Sequence, residues 1–291
     1  MDKIILTSGI HTLAIKIRGM IDVPEKFKDA AICSSRSIGE EITTTCILNL
    51  NKIDGDIFTY SRFNKLFSMF IDSIGIDTYE IVRADMRFDS YNSEDYQKYA
   101  KLNRYLISLL AVAYNVRNTY RSMDLFSQKP LSVAIKNKYF ECENYDKEAE
   151  SNGADMAASR LEERSKCLTG TDLKKEFTEH WSKRWDKALG KTDLVHKRYN
   201  DELERIYKDG RNSYPVKFRG LTNFLIQYQN CIFCKEQMVD LLSRFEEVGP
   251  EKAEIRAKNH KTRYGVEYYS EKDVKQAVAE IQRSALAFFN S

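Results

Sequence analysis

Apolar side chains change period near residue 168. Before it they mostly alternate, interrupted by two stretches that repeat every three to four residues; after it the helical repeat holds almost throughout. The first pattern predicts a sheet with helices packed on it, the second a helical region. His11 to Arg18 alternates, with Leu13, Ile15 and Ile17 on one face, and Thr43 to Leu50 does the same with Cys46, Leu48 and Leu50, so both predict strands. Phe63, Leu66, Phe67, Phe70, Ile71 and Ile74 form an i, i+3, i+4, i+7 stripe, which predicts a helix capped by Ser61 and ended by Gly75. In Tyr79 to Asp89, Val82, Ala84, Met86 and Phe88 fall on one side of a strand and Arg83, Asp85, Arg87 and Asp89 on the other. Ser93, followed by Glu94 and Asp95, is placed to open a helix running to about Tyr114. Leu131 to Tyr145 and Ala157 to Lys166 read as two more strands, joined through the polar stretch Asp146 to Asp155. Helices are then expected at 171–188, 192–208, 219–246, 250–261 and 270–289, with a break at Asn212-Ser213-Tyr214-Pro215. The expected fold class is α+β: residues 1–168 form an antiparallel sheet with helices on one face, and residues 169–291 form an all-helical region.

At 291 residues and 42% hydrophobic, the chain can bury one large core or two modest ones, which excludes a disordered chain and a disulfide miniprotein. No uncharged run approaches the ~20 residues of a membrane span. The start, Met1-Asp2-Lys3-Ile4-Ile5-Leu6, lacks the apolar run and cleavage site of a secretory leader, so a cytoplasmic location is expected. The cysteines stand singly except for Cys231 and Cys234, which specify neither a disulfide framework nor a complete zinc site. Buried thiols in the helical stripe are the better reading of that pair. Trp181 and Trp185, one turn apart, read as core or interface packing in preference to base stacking. A net charge of +3 decides little about nucleic acid, but residues 170–291 carry 23 basic and 19 acidic side chains. The densest basic run, Arg256 to Arg263 with Lys258 and Lys261 inside it, is either a phosphate-contacting segment or a solvated helix end.

Three strands each gather polar groups on a single face: Arg83, Asp85, Arg87 and Asp89; Tyr139, Glu141, Glu143 and Tyr145; Arg160, Glu162 and Arg164. If the strands are neighbours, these faces merge into one surface, which is either a solvated sheet face or a site; spacing alone does not choose.

The segment Arg83-Ala84-Asp85-Met86-Arg87-Phe88-Asp89 resembles the RxDxxFD strand of rolling-circle replication initiators of small Gram-positive plasmids. Glu143-Asn144-Tyr145-Asp146-Lys147-Glu148 resembles their YNKK segment. Arg160-Leu161-Glu162-Glu163-Arg164 resembles their closing RxExE strand, and is closer still to the RxExR of the filamentous-phage gene II replication protein. The three motifs occur in the family's order and approximate spacing, over roughly residues 79–166. The resemblance implies an HUH-like nicking domain that cuts one DNA strand at an origin. Asp85 and Glu162 would hold Mg²⁺ or Mn²⁺, with Asp89, Glu141 or Glu143 as further ligands, because carboxylate oxygens suit hard cations. Tyr145 would become a 5′-phosphotyrosine and free a 3′-OH primer, its phenol activated by the metal, by Lys147 or by a carboxylate. Arg83, Arg87, Arg160 and Arg164, with Arg256, Lys258, Lys261 and Arg263, would face DNA phosphate. The implied partners are single-stranded or hairpin origin DNA, a host helicase and polymerase, and a second copy of the chain. The paired histidines of many relatives are missing, since His11, His180, His196 and His260 are not so spaced. A conjugative relaxase would use the same site, and a non-catalytic DNA-binding or interaction protein of the same fold is the rival reading.

Overall fold

The computed structural model describes residues 6–90, 96–116, 133–150, 152, 159–168, 172–213 and 220–291. It is α+β. Strands β1 (Leu6–Arg18), β2 (Ala31–Ile38), β3 (Glu41–Leu48), β4 (Glu80–Ser90), β5 (Val133–Lys136), β6 (Phe140–Asp146) and β7 (Ser159–Lys166) form one sheet in the order β2-β3-β1-β4-β7-β6-β5. Every neighbouring pair is antiparallel. Among the described residues, the α-helices in the first part are α1 (Asn51–Asp54), α2 (Tyr60–Ile74), α3 (Tyr96–Ala113) and α4 (Lys147–Glu150). After β7 come α5 (Leu173–Lys175), a π-helical turn (Glu176–His180), α6 (Trp181–Leu189), α7 (Thr192–Asn212), α8 (Leu221–Gln227), α9 (Lys235–Glu246), α10 (Pro250–Tyr264) and α11 (Glu271–Phe289).

The apolar sides of the strands share one core with the helices. Ile15, Ala84, Met86, Phe88, Leu161 and Cys142 are buried beneath α3, α6 and α11, and the apolar cluster continues without interruption into the helical region. Phe88 stacks on Trp181 with ring centroids 4.9 Å apart, and Trp181 and Trp185 are fully buried, as their spacing predicted. The C-terminal helix is tied to β1 as well, because Ser8 Oγ donates to the Ser284 carbonyl at 2.8 Å. The change of period near residue 168 therefore marks a packed boundary.

Several elements differ from the sequence expectation. Thr59, and not Ser61, caps α2, accepting from Arg62 N; Gly75 ends it in the left-handed region at φ 66°. The strand expected over Leu131 to Tyr145 is a hairpin, β5 and β6, turned by Asn137, whose side chain accepts from the backbone N–H groups of Tyr139 and Phe140. The helix expected over 219–246 is broken between α8 and α9, which puts Cys231 and Cys234 in the break; both thiols are buried and unbridged. Cys33 and Cys46, expected to stand alone, face each other across β2 and β3 and form a disulfide. The expected Ser93 cap and residues 151 and 153–155 of the connection Asp146 to Asp155 lie outside the described residues. Among the described residues no helix is long and apolar enough to cross a membrane.

Candidate functional site

The sheet places β4, β7 and β6 side by side, and alternation turns Asp85, Arg87, Asp89, Arg160, Glu162, Arg164, Glu141, Glu143 and Tyr145 onto the face away from the core. Registry sets who meets whom: Asp85 opposes Arg164, Arg87 opposes Glu162, and Asp89 opposes Arg160 across β4 and β7, while Glu143 opposes Glu162 and Tyr145 opposes Arg160 across β6 and β7. This face is not a solvated one. Asp85, Arg87, Asp89, Arg160 and Glu162 are all buried.

Ion pairs make that burial tolerable. Arg160 grips Asp89 with two nitrogens at 2.6 and 2.8 Å. Arg83 grips Asp85 in the same way at 2.8 and 2.5 Å, and Arg164 reaches Asp85 at 3.1 Å, Glu162 at 3.2 Å and Glu141 at 2.6 Å. Arg87 pairs with Asp56 at 2.5 Å. Within this lattice the Tyr145 hydroxyl donates to Glu162 Oε2 at 3.1 Å and accepts from Arg160 Nη1 at 3.4 Å. Burial raises the Tyr145 phenol above its ordinary range and the neighbouring Glu162 charge adds to this, while Arg160 opposes both. Burial also pushes Glu162 up, but His11, Arg164 and the Tyr145 hydroxyl outweigh it and hold the carboxyl down to about 2. Glu143 is raised by burial and by Glu162, with Arg164 opposing.

His11 was not foreseen as a site residue. A β-bulge between Ile10 and Thr12 makes it the extra residue of β1, and its Nδ1 sits 3.4 Å from Glu162 Oε2. Strict alternation from His11 onward, as the sequence suggests, hides such an insertion. The bulge is braced by Asn51, whose amide donates to the carbonyls of Ile10 and His11 while its Oδ1 accepts from Ile57 N. Glu163 was also missed: it faces the core opposite Cys142, and burial raises its carboxyl well above the usual range.

Of the residues singled out from sequence, Asp85, Glu162, Glu143 and Tyr145 converge on this face, as do Arg83, Arg160 and Arg164. Arg87 and Arg160 are buried in ion pairs, and so are turned toward carboxylates and not toward solvent. Tyr139 lies in the β5–β6 turn, 60% exposed, six residues and so roughly 20 Å along the strand from Tyr145. Lys147 opens α4 two residues beyond Tyr145, and the cation that reaches the phenol is Arg160. Arg256, Lys258, Lys261 and Arg263 are carried by α10, away from the sheet's strands.

The donor set divides when tested against a divalent cation. Asp85 and Asp89 are clamped by arginines and Glu162 is shared between Arg164, His11 and Tyr145, whereas Glu143, facing Glu162 on the adjacent strand, is raised by burial and then by that neighbouring charge. That pair fits a hard cation. Among the described residues, no group of three or more metal-ligating side chains is preassembled.

The chain matches no protein-family model, no curated protein and no solved structure.

Proposed function

We propose that the chain nicks and rejoins one strand of DNA through Tyr145, as an initiator of rolling-circle replication acting in the cytoplasm on single-stranded or hairpin origin DNA. The observation that carries this reading is the Tyr145 hydroxyl hydrogen-bonded to Glu162 and to Arg160, on strands whose motifs resemble those of nicking initiators. A Mg²⁺ or Mn²⁺ ion held by Glu143 and Glu162 would supply positive charge against the phosphate and the forming phenolate. The chain's own groups do the rest. Glu162 accepts the phenol's hydrogen bond and orients its oxygen, and the proton passes to solvent as the tyrosyl oxygen bonds to phosphorus. Arg160, held in place by Asp89, stabilises the charge on that oxygen. The bond to the 3′ oxygen breaks, and His11, beside the same carboxylate, is placed to protonate it. The product is a 5′-phosphotyrosine and a free 3′-OH, and attack by that hydroxyl reverses the step. A helicase and polymerase would then use the primer; a relaxase would run the same chemistry in conjugation.

The arginine clamps on Asp85 and Asp89 favour a second reading, a non-catalytic DNA-binding protein in which this face is scaffold. Incubating the protein with labelled origin-derived single strands, with Mn²⁺ or with EDTA, separates the two on a denaturing gel. A metal-dependent shifted band, lost in Tyr145→Phe while DNA binding persists, is expected. Binding without cleavage on every strand, or undiminished cleavage by Tyr145→Phe, overturns the nicking reading.

A further inference from the structure

The basic run on α10 does not present all of its charges in one direction. Arg256, Asn259, His260, Arg263 and Tyr264 recur at i, i+3, i+4, i+7 and i+8, which is one helix face, and this face lines a cleft of about 270 Å³ between α8, α9 and α10. Lys258 and Lys261 fall outside it. The opposite walls are apolar, from Leu225 and Leu242, with the Thr222 hydroxyl at the lip.

His260 is the anomaly. It is 8% exposed, it lines the cleft, and neither ring nitrogen has a hydrogen-bond partner. Two unmet polar atoms in one buried ring are a standing penalty, and a bound acceptor would satisfy the nitrogen that carries the proton. Tyr264 packs against the ring with centroids 4.6 Å apart, which fixes its orientation. Arg263 is exposed at the mouth and Arg256 is held by Glu246, so one guanidinium is available and the other is anchored. The cleft also holds one carboxylate, Glu246, whose charge Arg256 balances; beyond that pair, the Arg263 guanidinium, an imidazole N–H, an amide and a hydroxyl donate hydrogen bonds, which is the chemistry of a phosphate site. The apolar walls and the volume exceed what a bare ion needs and suit a sugar attached to it.

We propose that this cleft binds a backbone phosphate of the DNA strand, with its sugar against Leu225 and Leu242; the assignment rests on the DNA-processing function proposed above. It places a second DNA contact on the helical region, apart from the Tyr145 face.

The test uses the full chain carrying Tyr145→Phe, so that binding is read without cleavage. Anisotropy of a labelled single-stranded oligonucleotide is followed across a salt series. Arg263→Gln is expected to weaken binding about fivefold and to lower the slope of log K against log salt by about one, whereas Lys258→Gln changes affinity less than about twofold. In parallel, inorganic phosphate is titrated against protein with ¹⁵N-labelled histidine, and the His260 ring signals are expected to shift. Parental affinity and slope in Arg263→Gln would overturn the proposal. So would a His260 shift with phosphate in a protein whose DNA affinity ignores Arg263, since the cleft would then serve a free phosphate. Absence of the covalent band with this pattern intact would remove the nicking reading and leave the DNA contact standing.

Discussion

Glu143 and Glu162 oppose each other across β6 and β7, yet their surroundings drive them in opposite directions. Glu162, held at about 2, is more acidic folded than unfolded, so its contribution to stability is complete above the ordinary carboxylate range and is lost as pH falls toward 2. That contribution is bounded on the order of 3 kcal/mol. Glu162→Gln is therefore expected to flatten the fall of the urea midpoint between pH 5 and pH 2.5; an unchanged slope would mean that other carboxylates carry the acid sensitivity. Glu143 is raised, first by burial, so the fold favours its neutral form and ionisation at neutral pH works against stability. Glu143→Gln should raise the urea midpoint at pH 7 while abolishing metal-dependent nicking, a trade of activity for stability. A lower midpoint would show that the ionised carboxylate is satisfied by partners within the fold.

At the scale of elements, the site depends on the crossing of the loop after α1 over β1. Gly9 makes that crossing possible: a Cβ there would lie 2.4 Å from the Ile57 carbonyl oxygen, and backbone cannot swing aside as a side-chain tip can. Gly9→Ala is expected to cost ~1–3 kcal/mol, seen as a lower thermal midpoint, because the loop carrying Asp56 must shift away from Arg87. A parental midpoint would mean that the loop has room to move. Much of this architecture was legible in the sequence: β4, β7 and α2 follow from clean periods, and alternation on three strands gathered Asp85, Tyr145 and Glu162. What was hidden depends on side-chain braces that leave no mark on periodicity. Asn137 turns the β5–β6 hairpin without Gly or Pro. Gln237 stabilises the break before α9 by accepting from Phe233 N and donating to the Cys231 carbonyl. β2 is largely exposed and rich in serine, so it shows no apolar alternation. Burial of the polar face was hidden as well, because only strand registry reveals that Asp85, Asp89, Glu141 and Glu162 each meet an arginine while Glu143 meets Glu162.

For the whole molecule, the continuous core has a consequence for cooperativity. Trp181 belongs to the helical region but stacks on Phe88 of β4, and α11 returns the C-terminus to β1 through Ser284 and to α2 through Phe288 and Phe289 against Tyr60. Neither region can close its apolar face alone. Both tryptophans lie in α6, so their fluorescence reports on the helical region, while far-ultraviolet dichroism reports on the whole chain. The two signals are expected to change together in urea, as one transition. Trp181→Ala, which removes about 3–5 kcal/mol of packing, should shift both by the same amount. A chain ending at residue 168 would leave Phe88 and Leu161 without their cover and is expected to lack a cooperative melt. Separate transitions, or a cooperative melt of that shorter chain, would mean that the sheet closes its own core, and the helical region would then be free to move relative to the Tyr145 face.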